Sequence, residues 1–406
     1  MLDREKHFHP KKPRPPMPIV NRVADLQPDI QAWRRDLHEH PELLYDVHRT
    51  AAFVADRLRE FGCDQVATGL GKTGVVGVIK GKKTPGNGDL RVIGLRADMD
   101  ALPIEETTGL PYASKTPGKM HACGHDGHTA MLLGAARYLA ETRNFAGEAV
   151  VIFQPAEEGG AGAAAMIKDG LMDRFGIEQV YGMHNGPGIP IGAFAIRPGP
   201  IMAATDSVDI KIEGHGGHAA RPHICIDSVY VGSQLITALQ SIVARSVDPL
   251  ESAVVSICEF HAGNARNVIP QTAVLRGTVR TLTPKVRDLV EKRVNEVCEG
   301  VAKLTGAKID LTYERGYPVT VNHASQTDQA IRIAKEVAGD ANVHETPPLM
   351  GGEDFSYMLE ARPGAFIFCG NGDSAGLHHP AYNFNDEAIV HGTSYWIKLV
   401  ENTLAA

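Results

Sequence analysis

The chain has 406 residues, of which 43% are hydrophobic and 22% charged, and its formal net charge is −7. This length exceeds what one hydrophobic core usually organises, so the chain is expected to form two domains. The excess of acidic residues leaves no surplus of positive charge to neutralise phosphates, which argues against nucleic acid as a partner and favours small-molecule chemistry.

The first 18 residues contain five prolines and no apolar run, and they predict a disordered leader. No secretion signal and no stretch of 18 apolar residues is present, so neither export nor a membrane partner is expected. The six cysteines lack repeated spacings, which suits a reducing compartment better than a disulfide scaffold. These observations predict a cytoplasmic protein.

The first predicted elements are two amphipathic helices and two strands, which periodicity places at residues 23–40, 50–61, 75–79 and 91–95. The second strand leads into Asp98 and Asp100. Open α/β sheets place their sites at the carboxyl ends of strands. These two carboxylates are therefore candidates for metal ligands, for groups that orient ligands, or for a simple turn.

The stretch KMHACGHDGH, residues 119–128, separates Cys123 and His125 by a single glycine. Thiolate and imidazole are ligands that Zn²⁺ favours, and an extended backbone would direct both side chains at one point. Taken alone, the pair also fits a buried apolar cysteine and an ordinary core histidine. We interpret the stretch as half of a metal site that leads into a helix over residues 129–139.

A predicted buried strand over residues 149–153 delivers the pair Glu157 and Glu158. Adjacent side chains diverge, so one carboxylate can bind a metal while the other acts as a general base on water. A solvated acidic turn would explain the charges but not the apolar strand before them. The pair therefore indicates metal-assisted hydrolysis.

Histidines follow two further predicted strands. His184 comes directly after a strand over residues 179–183, and either His378 or His379 follows an apolar strand near residues 366–369. Their position at the ends of strands makes them candidates to complete a metal site.

The pattern changes between residues 203 and 314. Six elements in the order β-α-β-β-α-β are predicted there, at residues 207–212, 228–244, 253–260, 271–281, 284–304 and 309–314. This order is typical of a ferredoxin-like α+β sandwich. We therefore predict a metal-binding domain built from residues 19–202 and 315–406, with an inserted domain over residues 203–314.

Eight motifs resemble those of the M20 metallopeptidase family, and in particular its amidohydrolase branch of hippurate hydrolases, N-acyl-amino-acid deacylases and hydrolases of indole-acetyl amino acids. They are LRADMDALP (95–103), MHACGHDGHTAML (120–132), PAEEG (155–159), MHN (183–185), GGHAARPH (216–223), ARNVIP (265–270), GGEDFS (351–356) and LHHP (377–380). The resemblance covers essentially everything after residue 20. It implies a zinc-peptidase-like α/β catalytic domain with a mixed sheet flanked by helices, two divalent metal ions per subunit, and an inserted lid domain that forms a homodimer or a dimer-based tetramer.

The resemblance also implies roles for single residues. The positions that match metal ligands are Cys123, His125, Glu158, His184 and His378. Glu157 matches the general base, and Cys123 takes the bridging position that an aspartate holds in many M20 peptidases. Many of those peptidases have a histidine where Asp98 stands here, so Asp98 and Asp100 are expected to support the ligands rather than to bind metal.

Two positions of the inserted domain match residues that act on substrate in relatives. His218 matches a histidine that reaches into the partner subunit's site and stabilises the oxyanion, and Asn267 matches an asparagine implicated in holding substrate. Because an acyl-amino acid carries a free carboxylate, Arg315 and Asn267 are the candidates to bind it.

These assignments lead to an expected activity, the metal-dependent hydrolysis of N-acyl-L-amino acids to a carboxylic acid and a free amino acid. The acyl group, whether benzoyl, acetyl or indole-acetyl, is left open. A metallo-dipeptidase or carboxypeptidase of the same fold, a thiol amidase with Cys123 as nucleophile, and a non-catalytic binder are the alternatives. The mixed ligand set suits Zn²⁺, Mn²⁺, Co²⁺ or Ni²⁺.

Overall fold

A computed structural model describes residues 21–86 and 91–406, so the predicted leader lies outside the described residues. These residues form an eight-stranded mixed sheet with helices on both faces and a four-stranded antiparallel sheet with two helices. Among the helices described, none is long and apolar enough to cross a membrane. The α/β class predicted from the sequence is confirmed.

The chain builds the larger part of the fold, here called the large unit, from residues on either side of an insertion. Before the insertion its elements are α1 (Asn21–Glu39), α2 (His48–Glu60), β1 (Gln65–Leu70), β2 (Gly74–Lys80), β3 (Val92–Asp98), α3 (His125–Thr142), β4 (Glu148–Gln154), α4 (Gly162–Lys168), α5 (Leu171–Arg174), β5 (Gln179–Pro187), β6 (Phe194–Ile196) and β7 (Gly199–Met202).

The insertion, here called the small unit, runs from residue 204 to residue 315. Its elements are β8 (Ala204–Glu213), β9 (Gly217–His218), α6 (Ser228–Arg245), β10 (Ala253–Ala262), β11 (Val268–Ile269), β12 (Thr272–Thr281), α7 (Pro284–Thr305) and β13 (Lys308–Arg315). The chain then completes the large unit with β14 (Thr320–Asn322), α8 (Ala324–Ala338), β15 (Val343–Glu345), α9 (Ser356–Ala361), β16 (Gly364–Gly372) and α10 (Ala388–Thr403).

The large sheet has the strand order β1-β2-β4-β3-β5-β16-β6-β15. Its central strands β4, β3, β5 and β16 are parallel, with Asp98 opposite Gln154 and His184 opposite Phe368. Their carboxyl ends therefore meet at one edge of the sheet, which is where open α/β sheets form their sites.

Both faces of the central strands are buried, as strand β4 shows. Val151 and Phe153 pack into the core that includes α1, α3 and α10, whereas Val150 and Ile152 pack into a second core with α4, α5 and α9. A strand covered on both faces is apolar at successive positions rather than at alternate ones. This explains the continuous apolar run that predicted β4 from the sequence.

The small unit has one covered face, because both of its long helices pack on the same side of its sheet. Along β8, Val208, Ile210 and Ile212 are buried against α6 and α7, and the residues between them point to the other face. The strand order β10-β12-β8-β13 is that of a ferredoxin-like sandwich. Asp227 is the N-cap residue of α6 and Thr283 is that of α7. The side chain of each accepts hydrogen bonding from backbone N–H groups in the first turn of its helix.

Two element boundaries near the predicted metal ligands differ from the sequence prediction. Helix α3 begins at His125 rather than at residue 129, so the backbone between Cys123 and His125 is a sharp turn and not an extended segment. Gly124 has φ +88°, and a Cβ on it would lie 2.4 Å from the Asn185 amide, so only glycine fits this position. Strand β5 continues through His184 to Pro187.

Candidate active site

Five of the predicted side chains converge at the carboxyl edge of the large sheet. The Cys123 Sγ lies 3.3 Å from His184 Nε2, and Glu158 Oε1 lies 3.3 Å from His378 Nε2 and 3.9 Å from His125 Nε2. Cys123 belongs to one potential metal-binding group with His125 and His184 and to another with Glu158 and His378, with ligand atoms within 4.8 Å of one another in each. Two overlapping groups that share a cysteine would suit a pair of divalent ions.

The imidazoles of this cluster are oriented by hydrogen bonds from their far nitrogens. The Nδ1 of His125 lies 2.7 Å from the backbone oxygen of Asp100, and the Nδ1 of His184 lies 2.7 Å from the backbone oxygen of Asn185. Because a carbonyl only accepts, each Nδ1 carries the proton and each Nε2 presents a lone pair to the cluster. This is the tautomer that binds a metal.

Two buried atoms in the cluster indicate that a metal fits. Within the described part of the chain, neither His125 Nε2 nor Glu158 Oε1 has a hydrogen bond of good geometry, although His378 Nε2 lies at ion-pair distance from Glu158 Oε1. A buried polar atom without a partner is costly, whereas a divalent ion would satisfy both. The sulfur, imidazole and carboxylate donors are those that Zn²⁺ and other borderline divalent metals accept.

Asp100 holds the turn that carries both glutamates. Its carboxylate accepts hydrogen bonds from the backbone N–H groups of Glu157, at 2.9 Å, and Glu158, at 3.1 Å. Since its backbone oxygen also binds His125, Asp100 contacts three site residues without offering a lone pair to the cluster itself. The prediction that Asp100 supports the ligands is consistent with this geometry.

Both carboxylate oxygens of Asp98 also have hydrogen-bond partners. One carboxylate oxygen lies 2.6 Å from His128 Nδ1, and the other accepts a 2.7 Å hydrogen bond from Arg96. Burial alone would raise the pKa of Asp98, but His125 and Arg96 outweigh burial and hold the pKa well below its ordinary value. His128 accepts the Asn185 N–H at its other nitrogen, at 2.9 Å, so it is not free to bind metal.

Sequence reasoning missed a buried ion cluster next to Glu157. The Arg96 guanidinium donates to Gln154 at 2.8 Å and pairs with Glu353 and Asp354 at 3.0 Å each. The GGEDFS motif drew attention to the two acidic residues, but a strand arginine and a motif some 250 residues later gave no signal that they meet. Burial and, after it, the negative charge of Glu353 raise the pKa of Glu157 well above its ordinary value.

Glu157 and the metal-binding cluster open into a cavity of about 740 Å³, within the size range of small-molecule sites. One wall comes from the large unit and includes the apolar side chains Met202, Leu349, Phe368 and Leu377. The opposite wall comes from the small unit and includes Ser207, Thr278, Arg280 and Arg315. The two units therefore enclose the cavity together.

The two predicted small-unit residues, His218 and Asn267, do not line this cavity. His218 lies on β9, where it pairs with Val268 of β11, and Asn267 directly precedes β11; both residues are exposed. The Nδ1 of His218 accepts the N–H of Ala220 at 3.0 Å. Within one chain the structure thus brings them to each other but not to Glu157.

Arg315 is at the cavity wall, but its guanidinium is already paired. It donates to Asp288 at 2.6 Å and to Glu291 at 2.7 Å, both on α7. The expectation that it binds a substrate carboxylate is therefore revised. Arg280, which the sequence reasoning did not select, is half-buried in the same wall. Its guanidinium donates to the Thr278 hydroxyl and to the Val279 carbonyl, and among the described residues no carboxylate forms an ion pair with it.

The geometry of the LHHP motif favours His378 over His379 as the metal ligand. His378 adopts a left-handed backbone with φ +63° and directs its ring at Glu158. His379 is exposed, as His378 is, but its Nδ1 accepts the N–H of Ala381 at 3.0 Å instead of facing Glu158. The sequence left the choice open because it depends on this backbone turn.

Comparison with known proteins shows the family of the chain. Residues 94–402 match the family described as Peptidase family M20/M25/M40. A hippurate hydrolase from Campylobacter jejuni is 45% identical over 384 residues, which cover 94% of this chain and 98% of that protein. An N-acetyl-L-cysteine deacetylase from Bacillus subtilis is 43% identical over 377 residues, which cover 92% of this chain and 88% of that protein.

A solved Bacillus subtilis structure, described as a dinuclear metal binding peptidase from the M20 family, is 35% identical, covers 94% of this chain and 99% of its own, and superposes with a TM-score of 0.81. The fold and the site define a metal-dependent hydrolase. The chain belongs to the M20 peptidase family.

The two histidines of the LHHP motif provide a matched test of the ligand set. We expect His378→Ala to weaken the binding of one divalent ion on the order of 100-fold or more, since the loss of even an outer partner of a ligand costs 10- to 100-fold. His379→Ala should bind metal as the unchanged protein does. Titration of the metal-free proteins with Mn²⁺ or Zn²⁺ against a chromophoric chelator measures both, and equal affinities would contradict the assignment of His378.

Proposed function

We propose that this protein hydrolyses the amide bond of N-acyl-amino acids to a carboxylic acid and a free amino acid. The observation that carries the proposal is the placement of Glu157 beside two overlapping metal-binding groups, in a cavity whose opposite wall offers Arg280. Relatives named hippurate hydrolase and N-acetyl-L-cysteine deacetylase support the same chemistry.

Residues of the metal-binding cluster hold two divalent ions in this proposal: Cys123, His125, Glu158, His184 and His378. When bound, such ions polarise an amide carbonyl and make water a better nucleophile near neutral pH. Glu157 removes a proton from the attacking water and returns it to the leaving amine. Asp100 keeps the Glu157 turn in place, and Arg96 pairs with the buried carboxylates of Asp98, Glu353 and Asp354.

A thiol amidase that uses Cys123 as nucleophile is disfavoured by the surroundings of the sulfur. Burial raises the pKa of the Cys123 thiol well above its ordinary value, and a catalytic cysteine needs the opposite shift. The raised pKa does not prevent metal binding, since a coordinated thiol loses its proton to the metal.

The activity is tested with hippurate, N-acetyl-methionine, an indole-acetyl amino acid and a dipeptide. We expect hydrolysis of at least one acyl-amino acid, its loss with chelator, and its return with added Mn²⁺ or Zn²⁺. Glu157→Gln should bind metal normally and lower kcat by at least about 100-fold, because general bases contribute 10²- to 10⁴-fold. Activity that persists without metal would favour the thiol mechanism, and cleavage of the dipeptide alone would favour a peptidase.

Arg280, rather than Arg315, is proposed to bind the substrate carboxylate. Arg280→Met should raise KM for an acyl-amino acid roughly 10- to 100-fold, the value of a charge-assisted hydrogen bond, whereas Arg315→Met should change KM little. An acyl-amino acid amide, which lacks the carboxylate, should not distinguish the unchanged protein from Arg280→Met. Equal losses for the two variants would contradict the proposal.

The small unit also supports a proposed homodimer. Helix α6 carries one charged residue, Arg245, over its 18 residues, and its exposed side includes Val229, Tyr230 and Val243. The neighbouring strand β10 is an edge of its sheet and exposes Phe260. An uncharged helix face beside a free edge strand is suited to pairing with a second copy. Each copy then supplies His218 and Asn267 to the cavity of the other.

Complementation between two inactive variants tests this exchange. In a hybrid dimer of Glu157→Gln and His218→Ala, one site contains both defects and the other contains neither. Random mixing should therefore restore about a quarter of the unchanged activity. The hybrid, isolated with two different affinity tags, should retain about half. An inactive hybrid would show that His218 acts within its own chain, and a fully active His218→Ala homodimer would show that His218 has no catalytic role.

A further inference from the structure

Two short segments join the units and are bonded to each other. The backbone N–H of Thr205 donates to the carbonyl of Tyr317 at 3.0 Å, and the N–H of Gly316 donates to the carbonyl of Thr205 at 2.9 Å. The N–H of Tyr317 donates in turn to Thr205 Oγ1 at 3.1 Å. We call Thr205, Gly316 and Tyr317 the junction. A change in the orientation of the small unit relative to the large unit must therefore move the junction.

The junction is anchored on the small-unit side by one buried carboxylate. Asp206 accepts hydrogen bonds from the Gly316 N–H at 3.2 Å, from the Tyr313 hydroxyl at 2.8 Å and from the Arg287 guanidinium at 2.5 Å. These partners lie on β13, on α7 and in the junction itself. The junction backbone therefore follows the small unit when that unit moves.

The side chain of Tyr317 crosses to the large unit and binds the turn of the catalytic base. Its hydroxyl donates to the carbonyl of Glu157 at 2.6 Å and accepts the N–H of Ala161 at 3.2 Å. Burial raises the pKa of Tyr317, so the hydroxyl keeps the proton that it donates. One phenol thus holds both ends of the turn from Glu157 to Ala161.

This turn depends on its surroundings for its shape. Ala156 and Ala161 have φ +55° and +54°, in the left-handed region that non-glycine residues rarely adopt. Such backbone persists only where the surrounding structure fixes it. Apart from Tyr317, the described side chains that bond the turn between Glu157 and Ala161, Asp100 and Tyr45, belong to the large unit.

We propose that Tyr317 is a positioning residue that links the orientation of the small unit to the placement of Glu157. The inference rests on the proposed function for its catalytic consequence, but the link itself is a property of the hydrogen bonds. A general base must lie within hydrogen-bond reach of the water that it deprotonates, and small misplacements lower the rate steeply. Movement of the small unit over the cavity thereby also sets the base.

Tyr45 provides a matched comparison. Its hydroxyl donates to the Gly160 carbonyl at 2.6 Å, so it makes a bond of the same length to the same turn, but from the large unit. Tyr317→Phe removes both bonds of its hydroxyl to the turn and should lower kcat about tenfold, with KM within about twofold and bound metal unchanged. Tyr45→Phe removes one bond to the same turn without breaking the link to the junction.

Thr205→Val completes the test by disturbing the junction on its own, since it removes the acceptor of the Tyr317 N–H. We expect Thr205→Val to lower kcat about threefold both in the unchanged protein and in Tyr45→Phe. It should have no further effect in Tyr317→Phe, because the effects of two substitutions that break the same link are not additive. Amide hydrogen exchange between Gly159 and Gly162 should show the same pattern without substrate.

The outcomes separate this inference from the proposed function. Thr205→Val could instead lower kcat, or raise amide hydrogen exchange, by the same factor in Tyr317→Phe as in Tyr45→Phe. In that case the proposed link through Tyr317 is wrong. If no acyl-amino acid is hydrolysed, the proposed function fails, and the exchange pattern alone decides whether the link exists.

Discussion

The need to compensate buried negative charge governs the carboxyl edge of the large sheet. Glu157, Asp98, Glu353 and Asp354 are all buried there, and the one arginine among them, Arg96, pairs with the last three. Buried charges are tolerated only when they are paired or bind metal. Arg96 compensates the part of the cluster that lies behind the site and leaves the part that faces the cavity short of positive charge. Divalent ions would supply that charge, so the same imbalance favours metal binding at this edge.

The parallel order of the central strands is what collects these residues from distant parts of the chain. Strands β3, β4 and β5 deliver their groups to one edge because their carboxyl ends coincide, and the turns after them are held by one another. Asp100 shows the principle, since a residue that follows β3 fixes the backbone that follows β4. Precision in the site therefore comes from short hydrogen bonds between turns, and the large sheet supplies the rigid support for them.

Much of the fold could be predicted because buried apolar residues recur in the sequence at the spacing of the helix or strand that carries them. The alternation along β8 and the helical spacing in α6 and α7 predicted the ferredoxin-like unit, and the glutamate pair after an apolar strand indicated the base and its neighbour. Periodicity could not show that Arg96 meets Asp354, since a buried arginine in a strand has no local signature and its partner is remote in sequence. It also could not distinguish Arg280 from Arg315, because the difference is that α7 supplies two carboxylates to one arginine and none to the other.

The cavity walls also give the proposed substrate a direction. Arg280 and two hydroxyl groups lie on the small unit, whereas Met202, Leu349, Phe368 and Leu377 form an apolar wall on the large unit. A free carboxylate placed at Arg280 would turn the acyl group toward the apolar wall, with the amide between them near Glu157. Apolar burial contributes about 25 cal/mol per Å², so a larger apolar acyl group gains binding energy there that an acetyl group cannot. Leu349 and Leu377 are 40% and 38% exposed, which leaves their apolar surface available for that contact. The physical asymmetry of the two walls thus favours substrates with a carboxylate at one end and an apolar group at the other.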